Sequence, residues 1–487
     1  MENPKLKKYL DEWIEEATIC ETQEKLESGE LTSKELVLMY LQRISRFDKM
    51  LHSIIEINPD ALQIAEALDA ERKETGPLSQ LHGIPILIKD NIDTHDKMHT
   101  SAGSLALKDS IAQSDSFVAK QLRRAGAIIL GKTNMTEWAN FMAIGMKSGY
   151  SSRGGQVQNP YGPGKFDVGG SSSGSGAAIA ANFAAVAVGT ETSGSILNPS
   201  CQNSLVGIKP TVGLVSRRGI IPIAHTQDTA GPMARTVEDA AILLNVLCEK
   251  DEQDPITGTN RFSDFDFTEF LLKDGLKGKR IGIASNGFLE LLSEEKQKVV
   301  AAALEVLKSS GAEVIEQIEI PSAKAEWKYD VLTYEFKPDI NAYLNGLPLS
   351  IPVRTLADLI EFNKKHEEKM LKYGQAVLLE SETTSGSLTE AAYIEALEFD
   401  LYHSTKQGID FALETYDLDA IVFPSDEGSH LSAKAGYPTI AVPAGYTSDG
   451  EPVGITFAGT AYSEPLLIQV AFAFEQITRF RKAPVLE

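Results

Sequence analysis

The chain has 487 residues, 43% hydrophobic and 23% charged, which suits a large buried core and excludes the composition of a disordered segment. A formal net charge of -22 argues against a nucleic-acid partner, because phosphate binding draws on clustered Lys and Arg and an acidic field repels polyanions. Three widely separated cysteines, Cys20, Cys201 and Cys248, give neither a disulfide framework nor metal-ligand spacing and fit a reduced compartment.

Residues 1–19 mix Lys, Asp and Glu with apolar positions, so neither a signal peptide nor an anchor is expected there, and the expected location is the cytoplasm. Residues 1–75 read as a helical segment, with Leu36, Tyr40 and Ile44 at helical spacing behind Thr32-Ser33. At Ile84 the texture changes to short apolar runs between turns. Pro85-Ile86-Leu87-Ile88 reads as a buried strand, residues 116–125 as a helix ended by Gly126, and Ala127-Ile128-Ile129-Leu130 as the next strand. The most apolar stretch, residues 177–188, is interrupted by Asn182 and is shorter than the about 20 residues a bilayer span needs, so no membrane partner is expected.

The strand, helix, strand rhythm returns at residues 280–284, 293–309 and 313–315, and further buried-strand candidates lie at 420–423 and 439–442. This rhythm predicts an α/β fold with a largely parallel sheet covered by helices on both faces. Between the sheet segments lie an acidic loop at 249–254 and a polar, helical region at 323–398 that reads as an insertion.

Two motif matches fail on context. Residues 126–133 fit the phosphate-loop pattern up to Gly131-Lys132-Thr133, but the middle of the supposed loop is itself a buried strand. Gly170-Ser171-Ser172-Ser173-Gly174 fits the nucleophile elbow with Ser172 at its centre, yet the turn-rich stretch 159–166 stands where the elbow needs a strand.

More informative are two Ser- and Gly-rich turns, 169–176 and 189–196, flanking a small-residue segment whose side chains allow close packing around a shared cleft. Such composition in isolation usually marks a flexible linker, but loops embedded in an apolar core make poor linkers. The second turn, Thr192-Ser193-Gly194-Ser195, can aim several N–H groups at one point, as an oxyanion hole requires, and ends in a serine placed to be a nucleophile. A serine hydroxyl needs a base. His225 shares a segment with Asp228, although a hydrogen-bonded loop histidine is the plainer reading. Lys89 is the competitor, at the carboxyl end of a strand where catalytic groups collect, and a buried lysine loses its charge.

These residues carry a family resemblance. Gly83-Ile84-Pro85, Lys89-Asp90-Asn91, the two turns, Gly207-Ile208-Lys209-Pro210-Thr211 and Asp228-Thr229-Ala230-Gly231-Pro232-Met233 together resemble the amidase signature family over nearly the whole chain. The resemblance implies one α/β/α domain over 1–487 around a mixed, mainly parallel sheet, with a signature core at 80–240 and the insertion at 323–398 lining the substrate pocket. It implies a Ser-cisSer-Lys set of Ser195 as nucleophile, Ser171 as proton relay and Lys89 as base, with backbone oxyanion donors at Thr192, Ser193, Gly194 and Ser195. It implies neither cofactor nor metal. The implied reaction is hydrolysis of an amide to acid and ammonia, with the stretch around Glu191 and 209–232 most similar to bacterial peptide amidases, so an amidated peptide or small primary amide is the expected substrate. The alternative is the glutamine-hydrolysing A subunit of a tRNA-dependent amidotransferase, against which Leu197 counts, since many members carry arginine there. Ser193 also departs from the glycine common in the family.

Overall fold

The N-terminal helices start where the sequence supplies caps. Thr18 with Glu21, and Thr32 with Glu35, form reciprocal capping boxes at the helices Ile19–Glu27 and Ser33–Leu51. Ser116 caps Phe117–Arg124 by accepting from Ala119 N at 3.0 Å. The computed structural model describes residues 3–486.

The strands in chain order are β1 (Ile54–Ile57), β2 (Pro85–Lys89), β3 (Ile128–Thr133), the short β4 (Tyr150–Ser151) and β5 (Gly155–Gln156), β6 (Val186–Glu191), β7 (Val206–Lys209), β8 (Thr229–Ala234), β9 (Arg280–Ile283), β10 (Glu313–Ile315), β11 (Ala420–Pro424), β12 (Thr439–Tyr446) and β13 (Pro452–Ala458). All but the β4–β5 hairpin join one mixed sheet of 11 strands in the order β1-β3-β2-β6-β8-β7-β12-β13-β11-β9-β10. The strand, helix, strand units of the sequence form its parallel parts, β3–β2–β6 and β11–β9–β10. The strands between them, and β1 at the edge, pair antiparallel. Strand β8, Thr-Ala-Gly-Pro-Met-Ala, had no strand signal, because Gly231 and Pro232 are poor strand residues and Pro232 has no N–H for the ladder.

Helices flank this sheet. The main apolar core joins Val37 and Tyr40 of Ser33–Leu51, Ile86 and Val188 of the sheet, and Phe474 of the helix Glu464–Thr478. The region 323–398 supplies the helices Asp330–Asn345, Leu356–Lys365 and Ala376–Glu382. They build a second apolar cluster, in which Phe336, Ile340 and Leu356 meet Trp138, Phe141 and Ile223. The register Ile88↔Val188 sets the carboxyl ends of β2 and β6 side by side, so Lys89 comes next to Thr190. Open sheets of this kind present ligand sites at such ends.

Lys132 lies inside β3, fully buried, donating to the Ile92 carbonyl and to Thr100 Oγ1 at 3.0 Å. Asp90 and Asp93 act on it electrostatically from nearby. It ties β3 to the loop that follows β2 and has no open loop around it. Lys132→Ala should therefore cost about 1–3 kcal/mol in urea unfolding, because the buried Ile92 carbonyl and Thr100 hydroxyl lose their partner. ATP titration should show no binding to the wild-type chain; binding that disappears in the variant would restore the phosphate loop.

Candidate active site

The first Ser/Gly turn is packed too tightly for side chains. A Cβ at Gly174 would lie 2.3 Å from the Asn134 carbonyl oxygen and 2.4 Å from that of Ser53. The Gly170–Ser171 peptide bond is cis, and the helix Ser173–Ala180 begins directly after it. Ser172 Oγ, fully buried, donates to the Thr190 carbonyl at 3.0 Å and receives Thr190 N at 3.3 Å. Its hydroxyl is thus occupied with holding β6 against the turn, contrary to the elbow pattern.

Lys89 has no exposed surface. Its Nζ contacts Ser171 Oγ at 2.8 Å, Thr190 Oγ1 at 2.9 Å and the Thr190 carbonyl at 3.2 Å. Burial pushes its pKa down to about 7, while the carboxylates of Glu191 and Asp228 pull the other way. A substantial neutral fraction at physiological pH gives this amine the lone pair a base needs.

Strand alternation separates the two residues that close β6. Thr190 meets Lys89, and Glu191 serves the next turn, where its carboxylate receives Gly194 N at 2.8 Å, Ile196 N at 2.7 Å and Leu197 N at 3.0 Å. This carboxylate clamps the backbone on both sides of Ser195. The Ser195 carbonyl in turn receives Ser172 N at 3.1 Å, which brings the two serine turns together.

The donor set read from the sequence needs one correction. Gly194, at φ 80°, gives its N–H to Glu191, so that N–H is not free for an oxyanion. The N–H groups of Thr192, Ser193 and Ser195 make no hydrogen bond among the described residues. Thr192 is fixed through its side chain, which donates to Asp228, and through its carbonyl, which accepts from Gln227 Nε2 at 3.1 Å. Asp228 itself receives Ile223 N at 2.8 Å and Ala224 N at 3.1 Å, and burial pushes its pKa up to about 7.

Ser195 opens into a cleft of about 560 Å³, shared with Gly170, Thr192 and Ser193 and walled opposite by Tyr329, Leu332 and Val377. Its rim carries two exposed apolar side chains, Ile144 at 80% and Tyr329 at 69% exposure. A smaller chamber of about 270 Å³ adjoins it across Ala139, Thr192 and Ile223 and reaches Asn91, Thr190 and Asp228.

Comparison with known proteins places the chain in a family. A family model described as Amidase matches residues 35–468. The chain belongs to the amidase family. It is 44% identical to a probable amidase of Arabidopsis thaliana, over 97% of this chain and 92% of that one. The native peptide amidase of Stenotrophomonas maltophilia superposes with a TM-score of 0.92 at 44% identity, covering 97% of this chain and 99% of that one. The A subunit of a glutamyl-tRNA(Gln) amidotransferase from Halorhodospira halophila is 32% identical, over 96% of this chain and 99% of that one.

The protein is therefore an amidase, a hydrolase of carboxylic amides. Among the described residues no helix is long and apolar enough to cross a membrane. The amidase's His225 is a hydrogen-bonded loop histidine, with Nδ1 2.9 Å from Asp339 and 3.4 Å from Glu335. The hydrogen bond to Asp339 raises its pKa, with burial opposing. These three groups are also compact enough to hold a cation, but Glu335 already accepts from Thr226 N and Thr226 Oγ1 at 3.0 Å and from Tyr393 at 2.9 Å. Sequence reasoning gave no role to Thr190 or Asn91. Their only signal was position, beside the turn and beside Lys89, and polar residues at strand ends are common.

Glu191→Gln replaces one acceptor oxygen with an NH₂ group that faces backbone N–H donors. Thermal or urea unfolding should show a loss of about 1–3 kcal/mol, the cost of stranding buried donors. An unchanged stability would mean that the turn at Ser195 holds its shape without this carboxylate.

Proposed function

We propose that this amidase hydrolyses C-terminal amides of peptides to the acid and ammonia through an acyl-enzyme on Ser195. Neutral Lys89 accepts the Ser171 proton while Ser171 accepts that of Ser195, whose Oγ bonds to the amide carbon. The N–H groups of Thr192, Ser193 and Ser195 are the donors left for the resulting oxyanion. The C–N bond then breaks as Ser171 passes a proton to the nitrogen, refilled from the Lys89 ammonium, and ammonia leaves. Water repeats the sequence on the ester and releases the acid.

The 2.8 Å contact between a dehydrated lysine amine and the Ser171 hydroxyl is the observation that carries this reading. The likeness to a peptide amidase favours a peptide, and a cleft of about 560 Å³ with Ile144 and Tyr329 at its rim suits a chain rather than a lone small amide. On this reading residues 1–487 act as one domain, 80–240 hold the chemistry and 323–398 wall the substrate.

The isolated chain should release ammonia from amidated di- and tripeptides without ATP, metal or a second subunit. Release from glutamine alone, or only with a partner and ATP, would favour the amidotransferase alternative. Ser195→Ala should abolish both turnover and labelling by a fluorophosphonate, whereas Ser172→Ala should still be labelled at Ser195. Peptide mapping that finds the label on Ser172 overturns the assignment.

The pH dependence follows from Lys89. Only its neutral form accepts a proton, so kcat/KM for an uncharged peptide amide should rise through about pH 7 to a plateau on the alkaline side. Activity undiminished well below that range would point to a different base.

A further inference from the structure

We infer that Asn91 is a positioning residue, whose side-chain oxygen takes the Thr190 hydroxyl proton and so turns the Lys89 lone pair toward Ser171. The inference rests on the Lys89–Ser171–Ser195 reading above and adds a residue to it.

A neutral amine has two N–H donors and one lone pair, yet Lys89 Nζ meets three oxygens. These are Ser171 Oγ at 2.8 Å, Thr190 Oγ1 at 2.9 Å and the Thr190 carbonyl at 3.2 Å. The carbonyl can only accept, so it takes one N–H. The two hydroxyls compete for what remains: one receives the second N–H and the other donates to the lone pair. Proton transfer requires the donor to be Ser171. If Thr190 donates instead, the lone pair is blocked and the Ser171 proton has no acceptor. Thr190 is kept out of the donor role only if its own proton goes elsewhere.

Among the described residues, Asn91 is the one side chain placed to receive it. It is 2% exposed, and its amide lies against Thr190 Oγ1, with Nδ2 at 3.0 Å. In that orientation Asn91 Oδ1 is buried with no donor among the described residues, and the Thr190 hydroxyl has no acceptor other than the Lys89 lone pair. Turning the planar amide over exchanges the two atoms and satisfies both groups with one bond, Thr190 Oγ1–H to Asn91 Oδ1. The NH₂ then takes the buried place that Oδ1 held. The two amide orientations fill the same space, and hydrogen bonding decides between them.

The orientations predict opposite outcomes for Asn91→Asp, which keeps an acceptor and, once ionised, loses the donor. With kcat followed to the alkaline plateau, Asn91→Leu should lower the plateau about tenfold or more, a loss of the size expected when a proton relay is misaligned, with KM little changed. Asn91→Asp should keep the plateau within about threefold. Its acid limb should move to higher pH, because a new carboxylate joins Glu191 and Asp228 in stabilising the Lys89 ammonium. Thr190→Val should match Asn91→Leu, Thr190→Ser should restore activity, and the double variant should lose no more than either single one. An Asn91→Asp plateau as low as that of Asn91→Leu, or an Asn91→Leu plateau at the wild-type level, overturns the inference. Should Asn91→Leu fail to fold, the Thr190→Val and Thr190→Ser pair decides by the same criterion. Lys89→Met separates the two levels: if it stays active the base assignment falls and this inference with it, whereas if it is dead while the Asn91 and Thr190 variants are normal, only this inference falls.

Discussion

The proposed chemistry of this amidase depends on the dehydration of one amine. In water a lysine at neutral pH is an ammonium with no lone pair to offer. At the end of β2, between β3 and β6, Lys89 is out of contact with solvent, and loss of hydration brings its pKa down to about 7. Two nearby carboxylates oppose that shift, and the fold blunts both. Glu191 accepts three backbone N–H groups, and burial drives both it and Asp228 toward their neutral forms. The groups that shape the nucleophile turn therefore stand close to the base without restoring its proton.

Burial alone does not make a base. Lys89, Lys132 and Lys209 are all fully buried in this sheet, and burial lowers the pKa of each. Lys132 spends its amine on the Ile92 carbonyl and Thr100, and Lys209 on the carbonyls of Pro210 and Tyr437 at 3.1 and 2.7 Å. Only Lys89 faces a serine hydroxyl on a turn that adjoins the cleft. The difference lies in the partner: the carbonyls have no proton to give and the Thr100 hydroxyl is buried away from the cleft, whereas Ser171 stands on a turn that adjoins it.

The sheet makes that partnership possible by joining two kinds of pairing. Parallel pairing of β2 with β6 brings Lys89 beside Thr190, and antiparallel pairing of β6 with β8 brings Thr229 opposite Glu191, next to Asp228. The small residues between the turns allow the approach. The helical region 323–398 then covers the opposite side of the cleft, packing its own apolar cluster onto residues 138–146 and 221–224. The proposed catalytic groups and the cleft wall thus rest on separate apolar clusters.

Much of this was legible in the chain itself. Local patterns are enough for the capped N-terminal helices, the buried β2 and β3, and the two Ser/Gly turns, because periodicity, caps and glycine are properties of neighbouring residues. The candidate residues Lys89, Ser171 and Ser195 were visible through the same turns and the family resemblance they carry. The antiparallel pairing between the two parallel parts was not legible, nor was β8, since pairing is chosen by distant partners and Gly231 and Pro232 are poor strand formers. The commitment of Gly194 N–H to Glu191, the buried ties of Lys132 and the place of Asn91 behind Thr190 also needed the fold. Each depends on which polar atoms remain unpartnered once water is gone, and only the tertiary structure decides that.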